Sequence, residues 1–131
     1  MKIGFFTDSY FPWMNGVTIS VQLFATELEK RGHEVYIFCP GSRHVKEEVH
    51  PRVIRFRSTP SIWHEEYRDT FPWVPQNIKR AKAIGLDIVH VHTPAQIGLC
   101  GMRIARELDT PVVMTYYTDI EQYSEVYRLI L

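Results

Sequence analysis

Leu86-Asp-Ile-Val-His-Val-His92 is a near-continuous β-branched run, closed by Thr93-Pro94. A parallel sheet covered by helices on both faces calls for strands of this kind, because it leaves no position along the strand for a wet side chain. Downstream, residues from Ala95 to Leu108 place Ile97, Cys100, Gly101, Ile104, Ala105 and Leu108 on one stripe at helical spacing, and Pro111-Val-Val-Met-Thr115 reads as a further strand. Upstream, Gln76 to Ala83 gives a short basic helix.

The N-terminal part repeats the alternation. Lys2-Ile-Gly-Phe-Phe-Thr7 reads as a strand, and Val17 to Arg31 as a helix with Val17, Val21, Phe24, Ala25 and Leu28 at helical spacing and Glu27, Glu29 and Lys30 opposite. Gly32 sits where a helix C-cap needs it, and His33 to Cys39 resumes a strand pattern that Pro40-Gly41 ends. Val53-Ile-Arg-Phe-Arg57 alternates apolar and basic residues, which suggests a strand near a sheet edge with one wet face. Pro60 to Pro75, with three prolines and interleaved aromatics and charges, is read as a long loop with a helical turn at most. Strands alternating with helices specify a doubly wound, Rossmann-like α/β sheet. Such sheets bind ligands at the carboxyl ends of their strands, where the strand order reverses. The site is therefore expected at the loop after Thr7 and at the ends of the strands closed by His92 and Thr115.

Composition narrows the function class. The 131 residues suffice for one domain with a real core. Lys+Arg and Asp+Glu are both 15, so charge balance gives no nucleic-acid footprint. No apolar run approaches the roughly 18 residues of a spanning helix. Met1-Lys2 runs straight into a short apolar stretch without the form of a signal peptide, so a cytoplasmic location is expected. Cys39 and Cys100 lie in strand and helix interior, where buried free thiols are the expectation over a disulfide or metal site.

The loop Asp8-Ser-Tyr-Phe-Pro-Trp-Met-Asn-Gly16 feeds directly into the first helix, so Gly16 and the amides of Val17 and Thr18 offer unpaired donors and a positive dipole to a phosphate. On local chemistry alone the plainer reading, in which Asn15 caps the helix and Gly16 relieves the backbone, stands level with it. Neither G-x-G-x-x-G nor G-x-x-x-x-G-K-[ST] is present, so the ordinary dinucleotide and P-loop readings lose most of their support. His90 and His92, with Val91 between them, are expected to part to opposite faces or edges, with only His92 at the carboxyl end. His92 is the ligand candidate: an imidazole there can hydrogen-bond sugar hydroxyls, against the alternative of a satisfied structural histidine. H-x-H on a strand without a third ligand nearby does not read as zinc, so no metal is assigned. Thr115-Tyr-Tyr-Thr-Asp119 gathers hydroxyls at the same rim, making Tyr117 and Thr118 candidate substrate contacts beside Asp8, Asn15, Gly16 and Val17; Asp119 and Glu121 are equally readable as helix caps.

Phe6-Thr-Asp-Ser-Tyr-Phe-Pro12, Asn15-Gly-Val-Thr-Ile-Ser-Val21, Gly32-His-Glu-Val35, Asp87-Ile-Val-His-Val-His-Thr-Pro94 and Thr115-Tyr-Tyr-Thr-Asp119 together resemble the N-terminal half of family 4 retaining glycosyltransferases. Within that family the resemblance is nearest to enzymes that transfer glucose to diacylglycerol, particularly at Ile104-Ala-Arg-Glu-Leu108 and the threonine-tyrosine strand end. It implies a GT-B architecture, in which residues 1–131 form the acceptor-side domain and a C-terminal domain, with a glutamate pair, holds the nucleotide sugar. It also implies a donor such as UDP-glucose, no cofactor and usually no metal. Carried over by position, the Gly16 amide would approach the donor diphosphate, and His92, as the catalytic residue, would hydrogen-bond the transferred sugar. Where relatives commonly have histidine in the strand-end motif, this sequence has Tyr117. The chain closes at Tyr127-Arg-Leu-Ile-Leu131 inside what reads as an unfinished helix, so a fragment inactive on its own is expected.

Trp63 and Trp73 beside Lys79, Arg80 and Lys82 suit an anionic membrane surface, which would make the protein peripheral on the inner face. A solvated helix next to an aromatic cluster accounts for them as well. The competing function is a free-standing flavodoxin-like module that binds a phosphorylated ligand at the same rim.

Overall fold

The computed structural model describes residues 1–61, 68–70 and 75–117. In chain order the elements are β1 (Lys2–Phe6), α1 (Gly16–Lys30), β2 (Glu34–Pro40), β3 (Val53–Phe56), β4 (Ser58–Pro60), β5 (Arg68–Thr70), α2 (Pro75–Ile84), β6 (Ile88–Val91), α3 (Gln96–Glu107) and β7 (Val112–Met114). Five strands form one sheet in the order β3-β2-β1-β6-β7, and every pair in it is parallel. Strand order reverses at β1, which pairs with β2 on one side and β6 on the other, so the switch point lies between the ends of β1 and β6.

The sheet separates two cores. Ile3, Phe5, Val35 and Ile37 face α1 and pack with Val21 and Ala25. Phe6, Phe38, Val89 and Val91 face the other way and pack with Ala81 of α2 and with Ile97, Cys100, Ile104 and Ala105 of α3. This is the doubly wound, Rossmann-like α/β fold that the alternation of elements specifies. Cys39 and Cys100 are buried in opposite cores and are not joined by a disulfide.

Local chemistry explains the element ends. The α1 helix closes in a Schellman motif: Gly32 at φ 89° donates to Glu29 O, and His33 donates to Leu28 O. Pro75 opens α2 at the position where a missing N–H costs nothing. Two glycines let α3 lie against the sheet, since a Cβ on Gly98 would fall 1.8 Å from Thr93 O and one on Gly101 would fall 2.5 Å from the Phe6 ring.

Three expectations need correction. Pro60 to Pro75 is not loop throughout, because Arg68–Thr70 pairs antiparallel with Ser58–Pro60. These strands carry no alternating apolar pattern, so nothing local announces them. The β6 strand is buried fully on one face only: Val89 and Val91 are buried, whereas Ile88 and His90 are half-buried under α1. Phe24, placed on the inner stripe of its helix, is 42% exposed.

Candidate functional site

Three strand ends and one helix start meet at the rim. The end of β1 gives Thr7 and Asp8, the end of β6 gives His92 and Thr93, the end of β7 gives Thr115 and Tyr117, and α1 begins beside them at Gly16. Hydrogen bonds tie these segments together: His92 N donates to Phe6 O at 2.9 Å and Thr115 N to Val91 O at 3.1 Å.

Asp8 turns its carboxylate toward α3. Its Oδ1 accepts from Ile97 N at 2.8 Å, and its Oδ2 accepts from Thr93 Oγ1 at 2.6 Å and Gly98 N at 3.4 Å. Ala95, the residue at the N-cap position, offers no side-chain cap, so Asp8 supplies one from another strand end. Burial raises the Asp8 carboxyl above its ordinary value of 3.8, while these donated hydrogen bonds pull the other way. Both oxygens of this expected substrate contact are thus engaged within the fold.

Asn15 is likewise a cap. Its Oδ1 accepts from Thr18 N at 2.9 Å, and its Nδ2 donates to Ser9 Oγ at 2.6 Å. Val17 packs against the α1-side core. Gly16 differs from both. It is exposed, and a Cβ built on it would meet no atom within 4 Å. Neither a positive φ nor close packing calls for glycine at this position, so the fold itself does not account for the residue. Asn15 satisfies the Thr18 amide, and its side chain caps neither of the other first-turn amides, those of Gly16 and Val17.

The histidines do not part. Residues two apart on a strand share a face, and the His90 and His92 rings stack at 4.0 Å and 25° on the α1 side of β6. Phe5 lies 4.5 Å from the His92 ring, and Phe24 of α1 lies 5.9 Å from it. His90 Nε2 bonds Thr115 Oγ1 at 2.6 Å, whereas His92 Nδ1 bonds the Tyr117 hydroxyl at 2.9 Å. That hydroxyl donates onward to Ser20 Oγ of α1 at 2.9 Å. His92 is 1% exposed, and its Nε2 has no hydrogen-bond partner among the described residues. Leaving a buried polar atom unpaired costs about 1–3 kcal/mol. Burial, and secondarily the neighbouring His90, pushes the His92 imidazole down to about 3, so it is neutral at physiological pH.

No motif in the sequence marks Ser20. The available signal was spacing, since Ser20 lies four residues after Gly16 and therefore on the same helix face at the same rim. Thr93, expected only to end its strand, holds Asp8 twice: its Oγ1 accepts from Asp8 N at 2.7 Å and donates to Asp8 Oδ2 at 2.6 Å. Thr118, Trp63 and Trp73 lie outside the described residues. Lys79 and Arg80 are exposed on α2, while Lys82 forms an ion pair with Glu107 of α3. No described helix is long and apolar enough to cross a membrane.

The model of Glycosyltransferase Family 4 matches residues 14–130. The chain belongs to this family. It is 41% identical over 123 residues to an alpha-monoglucosyldiacylglycerol synthase of Streptococcus pneumoniae, covering 94% of this chain and 28% of the relative. A protein of the same name from Acholeplasma laidlawii is 32% identical, over 95% of this chain and 31% of the relative. A GDP-mannose-dependent alpha-mannosyltransferase of Mycolicibacterium smegmatis is 29% identical, over 98% of this chain and 36% of the relative. The chain thus spans about a third of the length of these relatives. Relatives that carry such names do not favour the free-standing flavodoxin-like module.

Proposed function

We propose that residues 1–131 are the N-terminal, acceptor-side domain of a retaining GT-B hexosyltransferase that moves glucose from a nucleotide sugar such as UDP-glucose to the hydroxyl of diacylglycerol. The observation that carries the reading is the pairing of an unobstructed Gly16 at a helix N-terminus with a buried, neutral His92 at the adjoining strand end. The names of the two alpha-monoglucosyldiacylglycerol synthases support the choice of sugar and acceptor.

In this reading the Gly16 and Val17 amides meet the donor diphosphate through hydrogen bonds and the helix dipole. His92 meets a hydroxyl of the transferred sugar and serves as the catalytic residue. Tyr117 and Thr118 line the acceptor side, whereas Asp8 and Asn15 act indirectly by fixing the two helix starts. No cofactor or metal takes part, and a C-terminal domain supplies the remaining donor contacts. Lys79 and Arg80, with Trp63 and Trp73, would meet an anionic membrane at the cytoplasmic face, where the lipid acceptor resides.

The test is transfer by the full gene product, with UDP-glucose and with GDP-mannose as donors and diacylglycerol in phosphatidylglycerol vesicles as acceptor. Glucosyldiacylglycerol from UDP-glucose supports the reading. Transfer from GDP-mannose alone would replace the sugar, and no transfer from either donor overturns the proposal.

A further inference from the structure

The unpaired nitrogen of His92 has a defined chemical character, and two residues outside the strand set it. The Tyr117 hydroxyl has one proton, which it donates to Ser20 Oγ at 2.9 Å. With that proton committed, the oxygen can only accept from His92 Nδ1, 2.9 Å away. A neutral imidazole carries a single N–H, so protonation at Nδ1 leaves a bare lone pair at Nε2. Phe5 and His90 pack against the ring and Phe24 lies beside it, and among these His90 alone is ionisable.

We propose that Tyr117 and Ser20 are positioning residues that hold His92 as its Nδ1–H tautomer, so that Nε2 accepts a hydrogen bond from a ligand hydroxyl. The inference rests on the glycosyltransferase reading for the identity of that ligand, a sugar, but not for the tautomer. The consequence is selective. A lone pair at this point welcomes a neutral hydroxyl and repels a phosphate or carboxylate oxygen, so the anionic part of a donor is directed away from His92 and toward the amides at Gly16. Nε2 is buried, so contact requires the surface above it to open as the ligand enters.

Ser20 offers the sharper test, because alanine at a helical position preserves the backbone while removing the acceptor for the tyrosine proton. In Ser20→Ala that proton turns to His92 Nδ1, and the imidazole proton moves to Nε2. Two-bond nitrogen–proton NMR of the histidine-labelled chain at neutral pH distinguishes the tautomers directly. The expected results are the Nδ1–H pattern in the wild type, the Nε2–H pattern in Ser20→Ala and recovery of the Nδ1–H pattern in Ser20→Thr. Tyr117→Phe should also depart from the wild-type pattern. A wild-type Nε2–H pattern, or a Ser20→Ala spectrum unchanged from wild type, overturns the proposal.

The spectrum is recorded without substrate, so it succeeds or fails independently of whether the full gene product transfers sugar. In that full product, Ser20→Ala should lower transfer from UDP-glucose roughly tenfold, on the scale of one misdirected hydrogen bond, with an unchanged melting temperature and recovery in Ser20→Thr. The Nε2–H pattern in Ser20→Ala without loss of transfer would overturn the role assigned to the lone pair.

Discussion

Asp8, just past β1, accepts a 2.8 Å hydrogen bond from the backbone amide of Ile97, 89 residues further along the chain. A helix N-terminus is thereby capped by a residue from a neighbouring strand end, which locks α3 to the switch point of the sheet. Replacing Asp8 with alanine should lower stability by about 1–2 kcal/mol, the scale of a lost helix cap, and Asp8→Asn should cost less because an amide oxygen still accepts. Urea unfolding measures the loss, and faster hydrogen exchange at the Ile97 and Gly98 amides would locate it. Wild-type exchange at those amides in Asp8→Ala would contradict the capping role.

Two glycines should respond oppositely to the same substitution. Gly98→Ala drives a methyl group into the Thr93 carbonyl and should destabilise the fold by about 1–3 kcal/mol or more. Gly16→Ala meets open space and should leave stability within about 0.5 kcal/mol of wild type, or raise it, because alanine is the better helix former. In the full gene product, however, Gly16→Ala should reduce glucosyl transfer on the order of a hundredfold by displacing the donor from the helix amides. Equal activity in the two proteins would remove Gly16 from the site.

The His92 imidazole titrates at about 3 in the fold against an ordinary 6.5. Between those values the unfolded chain binds a proton that the folded chain refuses. This group's stabilising contribution is therefore complete above pH 6.5 and is lost as pH falls from 6.5 toward 3, at up to about 1.4 kcal/mol per pH unit. In His92→Phe that component of the acid sensitivity should vanish, seen as a shallower fall of urea midpoints between pH 6.5 and 4. Identical pH profiles would show that the ring is protonated in the fold far more readily than its burial implies.

Membrane contact is best tested with Lys79→Glu and Arg80→Glu together. Lys82 is left intact because its removal would break the ion pair with Glu107 that links α2 to α3, leaving Glu107 its pair with Arg103, and would confound charge with packing. Each cation near an anionic surface contributes about 1 kcal/mol, and reversal to glutamate also adds repulsion. Binding to phosphatidylglycerol vesicles at low salt should therefore fall by more than roughly thirtyfold. Co-sedimentation unaffected by the double change would exclude α2 as the contact.

The legible parts of the sequence were those in which a local pattern coincides with a tertiary requirement. Gly32 announced the end of α1 because a left-handed cap favours glycine, and the apolar stripe of α3 announced its buried face. Relationships set by distant partners left no such mark. Ser58–Pro60 and Arg68–Thr70 pair across a gap without apolar alternation, and nothing near Asp8 reveals that its acceptors serve Ile97. The two histidines depart from expectation for a different reason. A period of two residues places His90 and His92 together, and their stack follows from the strand geometry that was already assigned.

The sheet that separates the two cores also divides the freedom of the sequence to change. Ile54, Ile104 and Ala105 belong to the core beneath α2 and α3, and exchange among aliphatic residues of similar volume there would reach the rim indirectly, through the strand ends at Phe6 and Val91 and the first turn of α3. Phe5 belongs to the other core and touches the His92 ring itself. A change of shape at Phe5, or in the adjoining turn of α1, is transmitted directly to the imidazole. One side of the sheet can drift over generations while the other carries the memory of the ligand.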